Sequence, residues 1–271
     1  MSSLKELFGF VRLRIRGGPN KGRWWSATSG SRYLRGDFVR GKASCLERLV
    51  QPGEVVWDIG AHRGFTVLVE SRVVGPHGRV FAFEPNPESR RLLERHLRWN
   101  HVSNATVFPW AMGKSDGTTP FGWERRNPDA ATLPALEKRS SSLACHLGGE
   151  GHVVEVRHVD GLIARGVAPA PTMLKIDVEG ADLDVLEGAS GLLAREPRLA
   201  IVLATHNAAL HDACCARLRR DGFEIIEAAN VATGRRDGWA AIGDADLLAF
   251  KPARPVPELV KSAFAAISIH G

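Results

Sequence analysis

The sequence predicts a doubly wound α/β fold, and three observations carry that expectation. Short apolar strand segments alternate with helical segments from residue 55 onward, a glycine turn follows the first of those strands, and the last two strand segments have no helix between them. Alternation of this kind indicates a mostly parallel sheet covered on both faces. Two final strands joined without a helix suggest an antiparallel hairpin at the sheet edge.

Taken in order, residues 39–50 read as a helix closed by Pro52-Gly53. Residues 55–59 form a short apolar strand, and 64–74 have helical composition ending at Gly75-Pro76. Residues 79–84 form the next strand. Asn86 can then cap a helix that starts with Pro87 and runs to Asn100. Residues 105–109 give a third strand. The stretch 113–150 is polar and rich in Gly, Ser and Pro, long for a structureless connection, so an insertion or lid with a short hairpin is expected there. Strands follow at 153–158, 172–176, 199–203, 223–227 and 246–250, with helices at 181–193 and 208–220. No internal repeat is visible. Residues 1–36 show no clear period and are set apart as a basic extension from a main domain over 37–271. Their Trp24-Trp25 pair is a candidate interface patch.

Composition narrows the class. Of 271 residues, 44% are hydrophobic and 24% charged, the balance of a globular protein rather than a disordered one. No apolar run approaches the roughly 18 residues needed to cross a bilayer. The first residues are too interrupted by charge for a secretory signal, so a cytoplasmic location is expected. Cys45, Cys145, Cys214 and Cys215 form no C-x-x-C pair and no zinc spacing, which reads as reduced, buried thiols. Residues 1–50 hold eleven Lys/Arg against three acids, so the basic character of the chain belongs to that segment. It could meet an acidic substrate, a phosphate or an anionic surface.

Four features carry chemistry. Val55-Val56-Trp57-Asp58-Ile59-Gly60-Ala61-His62-Arg63-Gly64-Phe65 is a buried strand, a glycine turn and a helix start. In an open α/β sheet such a turn lies at the carboxyl end of the strand, where ligands bind. Its G-x-x-x-G spacing is neither that of dinucleotide enzymes nor that of the phosphate-binding loop. Glu84 ends the next strand, 24 residues after Gly60, and is followed by the stiff Pro85. An acid there can accept hydrogen bonds from ribose hydroxyls. Third, Lys175, Asp177 and Glu179 alternate with Leu174, Ile176 and Val178 at the mouth of a buried strand, where ionisable groups are costly unless paired or used. Lys175 and Asp177 face one side and could pair, and Asp177 is placed at the reactive site. Fourth, His206 follows the strand at 199–203 and is a candidate general base across the cleft from Asp177.

With these segments in view, the chain resembles the FkbM family of S-adenosylmethionine-dependent methyltransferases. The matching residues are Gly36, the run from Pro52 to Ala61, Gly64, Val80 to Pro87, Asn100, Ala111-Met112-Gly113 with Asp116-Gly117, Asp160, Leu174 to Ala181, and Val185 to Ala189. The resemblance covers roughly residues 33–206. It implies a Rossmann-like class I methyltransferase fold whose seven-stranded sheet has an antiparallel last strand. It implies that the loop of Asp58, Gly60, Ala61, Gly64 and Phe65 holds the methionine part of S-adenosyl-L-methionine. Glu84 with Pro85 would grip the ribose, and the turn at Trp110 and Ala111 would border the adenine. Asp177, His206, Lys175 and Glu179 are then the candidate catalytic residues.

The expected reaction is O-methylation of a hydroxyl on a small molecule, sugar or secondary metabolite. Asp177 or His206 would accept the proton. Asp177 with Glu179 is compatible with a divalent cation, but two carboxylates are a thin site and no metal is predicted. A small-molecule or glycan acceptor is the expected partner. The alternatives are a nucleic-acid methyltransferase using the basic N-terminus and a non-catalytic cofactor-binding relic. No Asn- or Asp-Pro-Pro-aromatic run supports the first. The second is motivated by Ala204, which stands where the family usually has an acid. His62 and Arg63 also depart from the family's Asn and aliphatic residue, and Asp182 from its Glu.

Overall fold

A computed structural model describes residues 11–121, 152–205, 207–228 and 247–265. The elements are β1 (Arg12–Arg14), β2 (Trp24–Ser26), α1 (Ser31–Arg35), α2 (Arg40–Leu49), β3 (Val55–Ile59), α3 (Phe65–Val74), β4 (Arg79–Phe83), α4 (Pro87–Trp99) and β5 (Ala105–Phe108). Then come β6 (Ala111–Met112), β7 (Gly117–Phe121), β8 (His152–Arg157), α5 (Val159–Ala164), β9 (Met173–Ile176), α6 (Asp182–Gly188), α7 (Ser190–Arg195), β10 (Ala200–Leu203), α8 (Ala208–Arg220), β11 (Glu224–Glu227), β12 (Leu247–Phe250) and α9 (Glu258–Ala265).

The main sheet has seven strands in the order β11-β12-β10-β9-β3-β4-β5. Its pairs from β10 through β9, β3 and β4 to β5 are parallel, and β12 runs antiparallel to both neighbours. The antiparallel last strand is therefore present, but not at the edge. β12 inserts between β10 and β11, so β11 is the edge strand. Buried parallel strands are apolar on both faces, and the alternation along β3 shows why: Val56 joins one core cluster, Trp57 and Ile59 the other.

Four helix assignments change: the helix expected over 181–193 is split, and α1, α5 and α9 are additional. The single helix expected over 181–193 is two helices. Asp160 accepts the backbone N–H groups of Gly191 (2.5 Å) and Leu192 (2.8 Å), capping a new start, and Gly188 abuts the carbonyl of Gly113 so closely that no side chain would fit. The C-terminal helix α9 carries too short an apolar pattern to stand out in the sequence. β7 and β6 flank β8 in a small separate sheet, and the rest of the expected lid, residues 122–151, lies outside the described residues, as do Cys145 and the stretch 230–244.

Residues 11–36 pack onto the core. Trp25 is fully buried, stacked on His96 at 3.6 Å and on Tyr33 at 5.1 Å, with Phe65 at its edge. Trp25 is thus core rather than interface, while Arg12 and Arg14 lie over the ring of Trp24. Burial pushes the His96 imidazole down to about 3, so the ring is neutral. Its Nε2 accepts Ser26 N–H at 3.1 Å and its Nδ1 donates to Arg63 O at 2.8 Å. On the opposite side, Arg254 forms a bidentate ion pair with Glu54 at the start of β3 and also donates to Leu49 O. No helix among the described residues is long and apolar enough to cross a membrane.

Candidate active site

β3 and β4 end side by side, in register from Val55↔Arg79 to Ile59↔Phe83. The turn after β3 has positive φ at Gly60 (80°), His62 (48°) and Gly64 (83°). His and Asn are among the few side chains that tolerate this region, which rationalises His62 where the family has Asn. Tyr33 Oη lies 3.0 Å from His62 Nδ1 and steadies the ring. At Gly60 a Cβ would overlap the carbonyl oxygen of Asp177, so the turn rests directly on the end of β9.

Three buried ionisable groups lie under that turn. Lys175 Nζ sits 2.8 Å from Asp58 Oδ1 and donates to Gly60 O at 2.5 Å. Thr66 Oγ1 donates to Asp58 Oδ2 at 2.5 Å. Glu70 reaches the same cluster from α3, a helix buried on nearly every side. Burial, then the Asp58 charge, hold the Glu70 carboxyl well above the usual range. Burial pulls the Lys175 ammonium down, but Asp58 and then Asp177 more than offset it, leaving Lys175 charged and raised overall. Lys175 makes its close ion pair with Asp58 and also feels the charge of Asp177, whose Oδ2 lies 2.6 Å from Lys42 of α2. Lys42 is almost completely buried, while Asp177 keeps 17% of its side chain exposed. Sequence reasoning did not single out Lys42.

Glu84 turns toward the glycine loop. Its Oε2 accepts the N–H of His62 at 2.7 Å and its Oε1 the N–H of Asn86 at 2.8 Å. Each oxygen retains acceptor capacity for a hydroxyl. Pro85 follows, its carbonyl taken by Arg90. Ala61 is buried and donates to Phe83 O, and Phe65 opens α3 directly after Gly64 with no side-chain cap among the described residues. The N–H groups of that first turn can face a carboxylate. Beyond β5, Phe83, Phe108 and the half-buried Trp110 form a continuous stack, with centroids 5.4 and 4.6 Å apart, and Ala111 is buried beside it. Glu179 lies past Asp177 with φ 53° and Ala204 is buried at the end of β10. His206 lies outside the described residues.

A carboxylate with acceptor capacity to spare, an uncapped helix start and an aromatic step lie along the carboxyl ends of β3, β4 and β5. The methyltransferase FkbM domain model matches residues 58–225, more than half of the chain. The chain belongs to the FkbM methyltransferase family. It is 29% identical over 160 residues to the hexuronic acid methyltransferase AglP of Haloferax volcanii, covering 57% of this chain and 59% of that protein. It is 28% identical over 141 residues to Methyltransferase 1 of Beauveria bassiana, covering 48% and 56%. The AMB antimetabolite synthetase AmbE of Pseudomonas aeruginosa matches at 30% over 213 residues, 65% of this chain but 10% of that one. The chain thus spans little more than half the length of two of these relatives and a tenth of the third. Among solved structures, an S-adenosylmethionine-dependent O-methyltransferase of Thermotoga maritima aligns at 16% identity over 80% of this chain and 66% of that one, with a TM-score of 0.45. The fold is the class I methyltransferase fold, and S-adenosylmethionine is the cofactor.

The donor set fits that cofactor. Glu84 would hold the ribose, the first turn of α3 the methionine carboxylate, and Trp110 the edge of the adenine. Asp58, fully enclosed by Lys175 and Thr66, would act on the cofactor through the turn it supports. Bound, S-adenosylmethionine supplies a methyl group already activated as a sulfonium.

Glu84 also gives the site a pH dependence. Burial pushes its carboxyl up to about 7, although the His62 and Asn86 N–H groups, Lys175 and Arg90 pull the other way. A carboxyl with a raised folded value binds its proton more tightly when folded. Its contribution to stability is full below the ordinary value of 4.5 and is lost as pH rises through about 7. The amount is about 3 kcal/mol. Ribose hydroxyls donate to the ionised form, so the reverse holds for binding. S-adenosylhomocysteine affinity is expected to rise roughly tenfold between pH 6 and pH 8, and Glu84→Gln should flatten the profile. A wild-type affinity by calorimetry that is level across this range would remove Glu84 from the ribose site.

Proposed function

We propose that this methyltransferase transfers the methyl group to an oxygen of a sugar or other small hydroxylated acceptor, with Asp177 accepting the proton. The reading rests on one observation: the Asp177 carboxylate, at the carboxyl end of β9 and beside the glycine turn, is partly exposed while the buried Lys42 ammonium holds its Oδ2 at 2.6 Å. The hexuronic acid named for the Haloferax relative is itself a hydroxylated sugar acid, which supports the acceptor class.

Chemically the chain has little to do beyond positioning. Lys42 and the β9 backbone set the carboxylate. Lys175 holds the turn against β9, so the donor and acceptor halves of the site share one strand end. The acceptor hydroxyl would pass its proton to the Asp177 carboxylate as its oxygen takes the methyl group and the carbon–sulfur bond of the sulfonium breaks to leave a neutral thioether, and the carboxylate would return that proton to solvent. Lys175 is a positioning residue here. Glu179 and His206 are proposed to border the acceptor, Glu179 through its left-handed backbone at the strand exit.

The test is a panel of uronic acids, hexoses and hydroxylated metabolites incubated with S-adenosylmethionine and read by mass spectrometry for a one-methyl gain. Asp177→Asn is expected to lower kcat by about a hundredfold or more while S-adenosylhomocysteine affinity is unchanged. Methylation confined to nitrogen acceptors or nucleic acid, or an undiminished kcat in Asp177→Asn, overturns the proposal.

A further inference from the structure

At the far edge of the sheet, away from the methyl-transfer site, three metal-ligating side chains converge. His211 and Cys215 lie one turn apart on α8, each 2% exposed, and Glu227 ends β11. Their ligand atoms all lie within 4.8 Å of one another. His211 Nε2 is 3.4 Å from Cys215 Sγ and 3.8 Å from Glu227 Oε2. A tetrahedral ion with a metal–sulfur distance of about 2.3 Å and a metal–nitrogen distance of about 2.0 Å sets its ligand atoms about 3.5 Å apart. The two separations from His211 Nε2 are thus already close to those of a tetrahedral site, and the third lies within 4.8 Å.

The surroundings agree. His211 Nδ1 lies 3.2 Å from Thr205 Oγ1, an outer partner that holds the ring and turns Nε2 toward the cluster. Arg219 contacts the other Glu227 oxygen, Oε1, at 3.2 Å, so Oε2 faces His211. One imidazole, one thiol and one carboxylate are the ligand types of zinc and similar borderline divalent ions, not of magnesium or calcium.

We infer that His211, Cys215 and Glu227 form a binding site for a zinc-class divalent cation, with the fourth position left to water. On binding, the Cys215 S–H proton passes to solvent and the thiolate bonds the metal. The ion would tie α8 to the edge strand. The register places Glu227 level with Leu203 and Ile176, three strand spacings from β9, or about 15 Å. It is therefore separate from Asp177 and has a structural role.

The experiment uses the whole chain, stripped of metal with a chelator and titrated with Co²⁺ and then Zn²⁺. A thiolate-to-cobalt charge-transfer band in the near ultraviolet is expected, displaced by Zn²⁺, absent in Cys215→Ser and His211→Ala, and retained in Cys214→Ala. Glu227→Gln, at a half-buried position, should keep the fold by circular dichroism and lose roughly tenfold or more in Zn²⁺ affinity. It decides the matter should the two buried variants fail to fold. No band in the wild type, a band that survives Cys215→Ser, or an unchanged Zn²⁺ affinity in Glu227→Gln overturns the inference.

Discussion

Gly60→Ala is expected to abolish measurable S-adenosylhomocysteine binding and to destabilise the protein. With φ at 80°, the backbone at this position is one that alanine adopts at a cost of about 1–2 kcal/mol. The larger effect is steric. The new Cβ would overlap the backbone carbonyl of Asp177 and press on Val178 Cγ1 at 3.3 Å. A backbone atom at the end of a buried strand cannot rotate away as a side chain would. The turn must lift, and the lift carries His62 N–H off Glu84. Gly53→Ala separates the two causes. Gly53 has nearly the same φ, 84°, and an added Cβ there would meet nothing within 4 Å, so it should show the conformational cost alone and bind normally. Calorimetry on both variants checks this, and near wild-type affinity in Gly60→Ala would refute it.

Lys175→Met should be the most destabilising single change in the site. Asp58 is fully buried, Lys175 is its cation, and Glu70 is a second buried acid alongside. Removing one partner of a buried pair costs about 3–5 kcal/mol, because the other charge stays enclosed. The same change frees the Gly60 carbonyl. A fall in Tm of roughly 10 °C is expected at this chain length. Adding Asp58→Asn should recover part of the loss, since the orphaned charge is then gone. Equal Tm values for Lys175→Met and the wild type in thermal melts would show that the network is not under this strain.

The fold was legible where burial dictates residue type. The parallel strands at 55–59, 79–84, 172–176 and 199–203 are apolar runs bounded by Gly, Pro or charge, and the structure reproduces them to within a residue. β1 and β2 were not legible, because three residues are too few to show a period. The antiparallel pairing of β11 and β12 at the sheet edge was legible, but a hairpin-like connection says nothing about which of the two meets β10. Within the site, Gly60, Glu84 and Lys175 stood out by position. Lys42 did not: it sits among ten other basic residues in the first fifty, and its partner is 135 residues away. A charge count cannot distinguish the one lysine that a helix carries into the interior. The i, i+4 spacing of His211 and Cys215 was readable, but Glu227 reaches them only through the packing of α8 on β11.

The Glu54–Arg254 pair joins residues 200 positions apart. During translation at about 5–20 residues per second, Glu54 would be made roughly 10–40 s before its guanidinium partner. The central strand it begins also waits for β9, so one flank of the nascent chain stays sticky for most of synthesis. Until then the unpaired edge of β3 is a surface on which misassembly can begin.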